Sequence, residues 1–269
     1  MLNRKGTKTE RITHGAYLLV LFSFLIPIGY LIYKIAVTNN IKAPELNYRS
    51  RADYVLMLVQ CVLGVAVLHL PTIMEKRFKF ELPAALYLMY IVFLYCAIFL
   101  GEVRSFYYEV PHWDVVLHCF SSIMAGAFGF IVVAILNSNE HVAINLSPFF
   151  VALFAFCFAV MIGAVWEIYE YTFDGLLGLN MQKYMLCDGT MLIGHQALRD
   201  TMKDIIVDCI GALGTSVAGY LSLKSNKGWA TYVIAKYSKE NIEELENKRI
   251  KGNKNIKNHT DNKKEAHSL

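Results

Sequence analysis

The sequence predicts an all-α fold, a polytopic membrane helix bundle with about six transmembrane helices. Hydrophobic residues make up 55% of the chain and charged residues 18%, a balance typical of integral membrane proteins. The charges gather at the ends and in a few loops. What lies between them falls into stretches near the roughly 20 apolar residues that cross a hydrocarbon core of about 30 Å. Six stretches qualify: 16–37, 54–74, 82–100, 115–136, 148–169 and 202–223.

Residues 1–14 form a short basic leader, and 15–224 the six-helix transmembrane domain. The first span is too long for a signal-peptide core and lacks a small-residue cleavage site, so it reads as retained. Pro27 kinks it without ending it. Spans two and three flank a basic turn with Lys76, Arg77 and Lys79. The fourth begins inside VPHWDVVLHCFSS, residues 110–122. The fifth opens on Ser147 and Pro148, suited to the N-cap and first helical positions. Residues 172–199 make the longest loop, interrupted by Gly175, Gly178, Gly189 and Gly194, and loops of that length usually carry function. The sixth span carries Ala212, Ser216 and Gly219 on one side, with Gly211 and Gly214 nearby, a spacing that permits close packing in lipid. Residues 225–269 read as a basic cytoplasmic tail: a short surface helix over 229–250, then a disordered polar end whose lysines suit anionic headgroups.

Five of the six cysteines fall in apolar spans and only Cys187 lies in a loop. No CxxC pair occurs, so no zinc ribbon or dithiol site is indicated. Lys and Arg weight the N-terminal leader, the 76–79 turn and the tail, which predicts both termini in the cytoplasm. The basic residues follow no nucleic-acid recognition pattern, and no glycine-rich nucleotide fingerprint is present.

The polar residues within the spans carry the chemistry. Asp114 and His118 lie one helical turn apart. Glu167 and Glu170 close the fifth span in GAVWEIYEY, and Asp200, Asp204 and Asp208 repeat along one face of RDTMKDIIVDCIGALG. In a six-helix path these three patches share one side of the membrane. Asp114 and Asp200 also fit as simple helix-start charges, and His118 as a core imidazole. Glu167 and Glu170, expected in a last turn, sit against the dipole. Asp208 lies about 12 Å below Asp200, where a lone carboxylate costs at least about 2.5–3.5 kcal/mol. Arg104, Arg199 and Lys203 are the nearest bases in the reading, with His112, Asp188 and Asp200 around the rim. They leave the acids under-compensated, so protons, a cation or both must make up the difference. Asp114, His118, Glu167, Glu170, Asp204 and Asp208 form a candidate set for Mg, Mn, Zn or non-haem Fe.

Residues from about 101 to 220 resemble the YjdF-like family of bacterial inner-membrane proteins, through VPHWDVVLH, IGAVWEIYEY and DTMKDIIVDCIGALG in that order. More distantly the plan is similar to that of VanZ-like membrane proteins, associated with glycopeptide resistance. Their order of an acid and His four apart, a Glu-x-x-Gln and an Asp before Gly-Ala is met by Asp114/His118, Glu167 and Asp208–Gly211–Ala212. Glu170 stands where those proteins have Gln. The resemblance implies a bacterial plasma-membrane protein with a polar site and carries no activity with it.

Three functions stay open. One is a metal-dependent enzyme on a lipid-linked or envelope phosphate, with Arg104, Arg199 or Lys203 holding the anionic group. No Ser or Cys stands in a nucleophile motif. The second is a proton- or cation-coupled transporter, and the third a non-catalytic protein whose site is a salt-bridge network. Membrane lipids are the expected partners, no organic cofactor is indicated, and the sequence is silent on oligomeric state.

The basic-residue bias places the 102–113 and 172–199 loops outside. A membrane-impermeant thiol reagent should therefore label Cys187 in intact cells. Labelling only after the membrane is breached would reverse the orientation.

Overall fold

Pro71 has no N–H to offer the Val67 carbonyl four residues earlier, and the second span accordingly breaks at His69. The Tyr90 hydroxyl donates to that orphaned carbonyl at 2.6 Å. Such repairs let an interrupted helix remain in an apolar environment. The computed structural model describes residues 8–38, 51–78, 82–137, 146–186 and 189–235. Its helices are α1 (Lys8–Val37), α2 (Arg51–Leu68), α3 (Leu70–Phe78), α4 (Ala84–Leu94), α5 (Phe106–Glu109), α6 (Trp113–Asn137), α7 (Pro148–Leu177) and α8 (Arg199–Lys224), followed by α9 (residues 229–235). Among the described residues there are no strands, only an isolated bridge between Met185 and Met191.

Among the described residues, six segments are long and apolar enough to cross a membrane: Arg11–Val37, Asp53–Arg77, Ala84–Val103, Trp113–Leu136, Pro148–Leu177 and Arg199–Lys224. Besides the break in the second at His69, two others differ in detail from the expected spans. The third changes from α4 into a π-helix, Tyr95–Val103, marked by an Arg104 N–H that reaches the Phe99 carbonyl, five residues back, at 2.9 Å. The fifth does not stop at residue 169 but runs to Leu177. Gly175 is tolerated there because an interior glycine costs a helix only about 1 kcal/mol.

The chain divides into two compact units, Met1–Gly129 with Leu153–Val217, and Phe130–Ala152 with Ala218–Leu269. In the first, α1, α2 and α4 bury Val20, Phe24, Leu68, Tyr87, Ile91 and Leu94 together, and Leu31, Met57 and Cys61 form a neighbouring patch. α6, α7 and α8 meet through alanines: Ala125, Ala159 and Ala212 share one cluster. Side chains this small let helices approach closely where lipid offers no hydrophobic drive between them. Gly211 extends the seam, since a Cβ there would overlap the Ser122 hydroxyl.

In the second unit the Ser147 hydroxyl accepts the Phe150 N–H at 3.3 Å, capping the start of α7. Ser222 performs a similar service for α9. Its hydroxyl donates to the Lys227 carbonyl at 2.7 Å and accepts the Ala230 N–H at 3.1 Å. Phe130 is fully buried and meets Trp229 edge-on at 5.1 Å. Ala212, Ser216 and Gly219 of α8 are buried while Gly214 is exposed.

The Phe130 ring occupies the space a side chain at Gly219 would need. Gly219→Leu should therefore destabilise the protein by about 1–3 kcal/mol, the usual cost of overpacking, read as a lowered melting temperature in detergent. An unchanged transition would mean that Phe130 can leave without loss.

Candidate functional site

The π turn and two left-handed residues set the entrance to α6. Ser105 (φ 64°) follows the π segment and His112 (φ 61°) precedes α6, with the short α5 between these two left-handed turns. Trp113 anchors the second of them by donating its indole N–H to the Cys96 carbonyl at 3.3 Å. Asp114 and His118 then share one face of α6, Glu167 and Glu170 sit within α7, and Asp200, Asp204 and Asp208 line α8. His118, Glu167 and Glu170 are each under 8% exposed, and Asp204 and Asp208 are 1% exposed.

His118 stands at the centre. Its Nδ1 lies 3.2 Å from Asp208 Oδ2. Its Nε2 faces Asp114 Oδ1 at 3.8 Å and Glu167 Oε1 at 3.9 Å. One ligand atom each from Asp114, His118 and Asp204 falls within 4.8 Å of the others. Glu167 Oε1, Asp204 Oδ1 and Asp208 Oδ1 are buried and accept no hydrogen bond. Gly163 makes the convergence possible, because a Cβ there would overlap the Asp208 carboxylate.

The connection between α7 and α8 is a strap tied to itself. Asp174, 5% exposed, accepts the Met181 N–H at 2.7 Å and the Gln182 N–H at 3.0 Å. Asn180 bonds Met185 in both directions, at 2.7 and 2.9 Å. Lys183 takes a left-handed conformation, φ 49°, and its ammonium reaches Asp114 Oδ2 at 2.5 Å and Asp200 Oδ2 at 2.9 Å. Partial burial works against that charge, but Asp114 and Asp200 outweigh it and hold the ammonium above the usual lysine range. Gln182 donates to Thr201 Oγ1 at 2.9 Å and to Glu167 Oε2 at 3.5 Å.

Lys183 takes the place expected for Arg104 and Arg199, which are exposed and stand outside these ion pairs. Long-range compensation was expected from bases next to the spans, whereas the strap delivers one from its middle. A signal was available: Lys183 is the sole Lys or Arg between residues 172 and 198. Lys203 and exposed His112 line a small polar mouth together with Asp114, Lys183 and Asp200. Asp188 and Cys187 lie outside the described residues. Asp114 and Asp200 do more than complement helix starts, since both pair with Lys183. Glu167 and Glu170 are not in a last turn, so desolvation rather than the helix dipole is what opposes their charge.

Glu170 belongs to a different neighbourhood from Glu167. Its Oε1 accepts the Trp166 indole N–H at 2.9 Å, and it lines a cleft of about 290 Å³ with Glu102, Asp114 and Lys183 at one end and side chains of α2 and α4 along the rest. Glu102, 6% exposed, accepts from Gln60 Nε2 at 3.4 Å. Neither Glu102 nor Gln60 stood out in the sequence, although both are polar residues inside apolar runs.

Over residues 45–225 the chain matches the family described as "Predicted membrane protein (DUF2238)". A protein of Thermotoga maritima described as "Uncharacterized protein" is 29% identical over 142 residues, covering 52% of this chain. The match spans 65% of that relative, less than two thirds of its length. No solved structure matches.

Removing the strap ammonium takes from Asp114 and Asp200 the base that pairs directly with both, leaving Lys203 of the same mouth as the nearest one. Lys183→Met should lower stability by about 1–3 kcal/mol, the cost of stranding partly buried charged partners. Arg104→Gln and Arg199→Gln should stay within about 0.5 kcal/mol, as exposed substitutions do. Thermal melts of the three variants in one detergent decide this, and an arginine variant as damaging as Lys183→Met would contradict it.

Proposed function

The chain belongs to the DUF2238 family of predicted membrane proteins, and on that footing we propose that α6, α7 and α8 form a divalent-cation centre within the membrane. The YjdF-like resemblance of the three motifs agrees with that family. One observation carries the proposal: three carboxylate oxygens, on Glu167, Asp204 and Asp208, are buried around His118 without a hydrogen bond. Buried carboxylates without partners are costly, and a cation would satisfy several at once.

The spacing suits one ion. Ligand atoms on opposite sides of an ion with bonds of about 2.1 Å stand about 4.2 Å apart. Asp114 Oδ1 and Glu167 Oε1 lie 3.8 and 3.9 Å from His118 Nε2, and ligand atoms of Asp114, His118 and Asp204 all lie within 4.8 Å of one another. Asp208 takes the supporting role: a carboxylate accepting from Nδ1 fixes the imidazole tautomer and turns Nε2 toward the ion, a common arrangement behind metal-bound histidines. Asp114, His118 and Asp204 are thus the core ligands, with Glu167 completing the shell. Mixed oxygen and imidazole donors fit Mg, Mn, Zn or non-haem Fe.

The activity we infer is hydrolysis or transfer at a lipid-linked or envelope phosphate, with the site in the outer half of a bacterial plasma membrane and both termini in the cytoplasm. The Lys/Arg bias supports that orientation. A divalent ion in such a centre lowers the pKa of bound water and polarises a phosphoryl oxygen. Lys183 and Lys203, at the polar mouth with His112, are placed to attract the anionic group. Gln182, bonded to both Thr201 and Glu167, holds the Glu167 carboxylate in position.

The two Lys183 ion pairs favour a second reading, in which the cluster is a non-catalytic network. The Asp200–Asp204–Asp208 file allows a third, a path for protons or cations. Metal content separates them. Purified protein should hold near-stoichiometric divalent metal by elemental analysis, lost in His118→Ala and Asp204→Asn with the melting transition retained, and kept in Arg199→Gln. Metal-free wild-type protein that stays metal-free after dialysis against Mg, Mn, Zn and ferrous iron would rule the centre out.

A further inference from the structure

The apolar cleft and the polar mouth share a rim. Tyr107, Tyr108, Asp114 and Lys183 border both spaces. From that rim the cleft extends along α2, past Gln60, which is bonded to Glu102, to Val67, whose carbonyl is taken by Tyr90. The step from Gln60 to Val67 is about 10 Å of helix. Rings and alkyl groups of Leu63, Tyr90, Phe93, Ala97 and Ile98 form the wall. Glu102 and Glu170 contribute little surface to it, being 6% and 7% exposed and acceptors for Gln60 and Trp166.

The mouth is different in kind. Glu109, Asp114 and Asp200 stand there with Lys183 and Lys203, and Asp114 is also a ligand of the divalent centre inferred above. A cation held by Asp114 shifts the mouth toward accepting an anion, and Lys203 stands outside the ion pairs that engage Lys183. A phosphate ion or a soluble sugar phosphate would fill the mouth and leave the cleft bare. A neutral lipid would fill the cleft and leave the mouth. An anionic amphiphile matches both. At about 290 Å³ the cleft is at the low end of the roughly 300–1,000 Å³ of ligand pockets, room for one chain rather than a pair. We propose that the two spaces together bind a single-chain lipid phosphate, with the phosphate at the mouth beside Lys203 and the hydrocarbon chain along Leu63, Phe93 and Ala97. As the substrate of the divalent centre this lipid rests on the function proposed above, whereas its seat rests on the shared rim.

The probe is a decyl phosphate with a diazirine on its terminal carbon, photolysed with the full chain in nanodiscs and mapped by mass spectrometry. Adducts are expected on Leu63, Val67, Phe93 and Ala97, in preference to the exposed Leu19 and Phe22 of α1. Unlabelled decyl phosphate should displace the probe at about tenfold lower concentration than decanol, the difference made by one hydrogen bond to a charged group. Inorganic phosphate at the same concentration should not displace it. Lys203→Gln should reduce cleft labelling by about tenfold and leave that of a hydroxyl-headed analogue unchanged. Ala97→Trp, which fills the chain's path, should abolish the cleft adducts. Should that variant not fold, Leu63→Trp, at a position 44% exposed, blocks the same path. Metal content is measured on the same samples. Cleft adducts that depend on the phosphate head in metal-free protein keep this lipid site and remove the divalent centre. Metal-loaded protein without cleft adducts overturns the lipid site and leaves the centre standing. Equal labelling by the hydroxyl-headed analogue, or full displacement by inorganic phosphate, overturns it as well.

Discussion

Carboxylates placed at hydrocarbon depth must be compensated on the spot, because water is not there to do it, and the first unit is organised around that requirement. Asp204 and Asp208 are almost wholly enclosed. They come within reach of His118 because α6, α7 and α8 meet through alanine and glycine. The small-residue seam and the acidic cluster are two sides of one arrangement. At Gly163 the absence of a Cβ is the space in which the Asp208 carboxylate sits. Bulk introduced into the seam would displace charge as well as helices.

The parts of the site that obey helical periodicity were legible in the sequence. Asp114 and His118, or the three aspartates of α8, share a face because a spacing of four brings side chains together on a helix, and that is visible in one line of text. What depends on loop conformation was not. Lys183 reaches Asp114, 69 positions away, through a left-handed residue in a strap whose shape comes from Asp174 and Asn180 side chains. The end of α7 was misread for a related reason. Asp174 and Gly175 look like a helix stop, yet Asp174 remains helical and spends its carboxylate on the amides that follow. The π-helix left no compositional mark at all, since YCAIFLGEV is as apolar as an ordinary span.

That π segment matters to the layout. π turns frequently accompany functional sites, and here the widened stretch buries Gly101 and Glu102 just before its end at Val103. Gly101 admits the Tyr107 ring, which a Cβ would strike. The same turn carries Cys96, whose carbonyl receives the Trp113 indole. The entrance to α6 is therefore registered against the third span, and the two neighbourhoods of acids, one around His118 and one around Trp166, are separated while remaining adjacent.

Tyr90 carries a consequence of its own. Its hydroxyl is committed to the Val67 carbonyl, so the only face it can turn toward the cleft is the ring. The crevice consequently has charged side chains at Glu102 and Lys183 but only a spent hydrogen bond and apolar surface at Val67 and Tyr90. A molecule lying in it would be read for orientation as well as for content. One terminus is offered charge and the other none, which makes the cleft directional in the way a socket is.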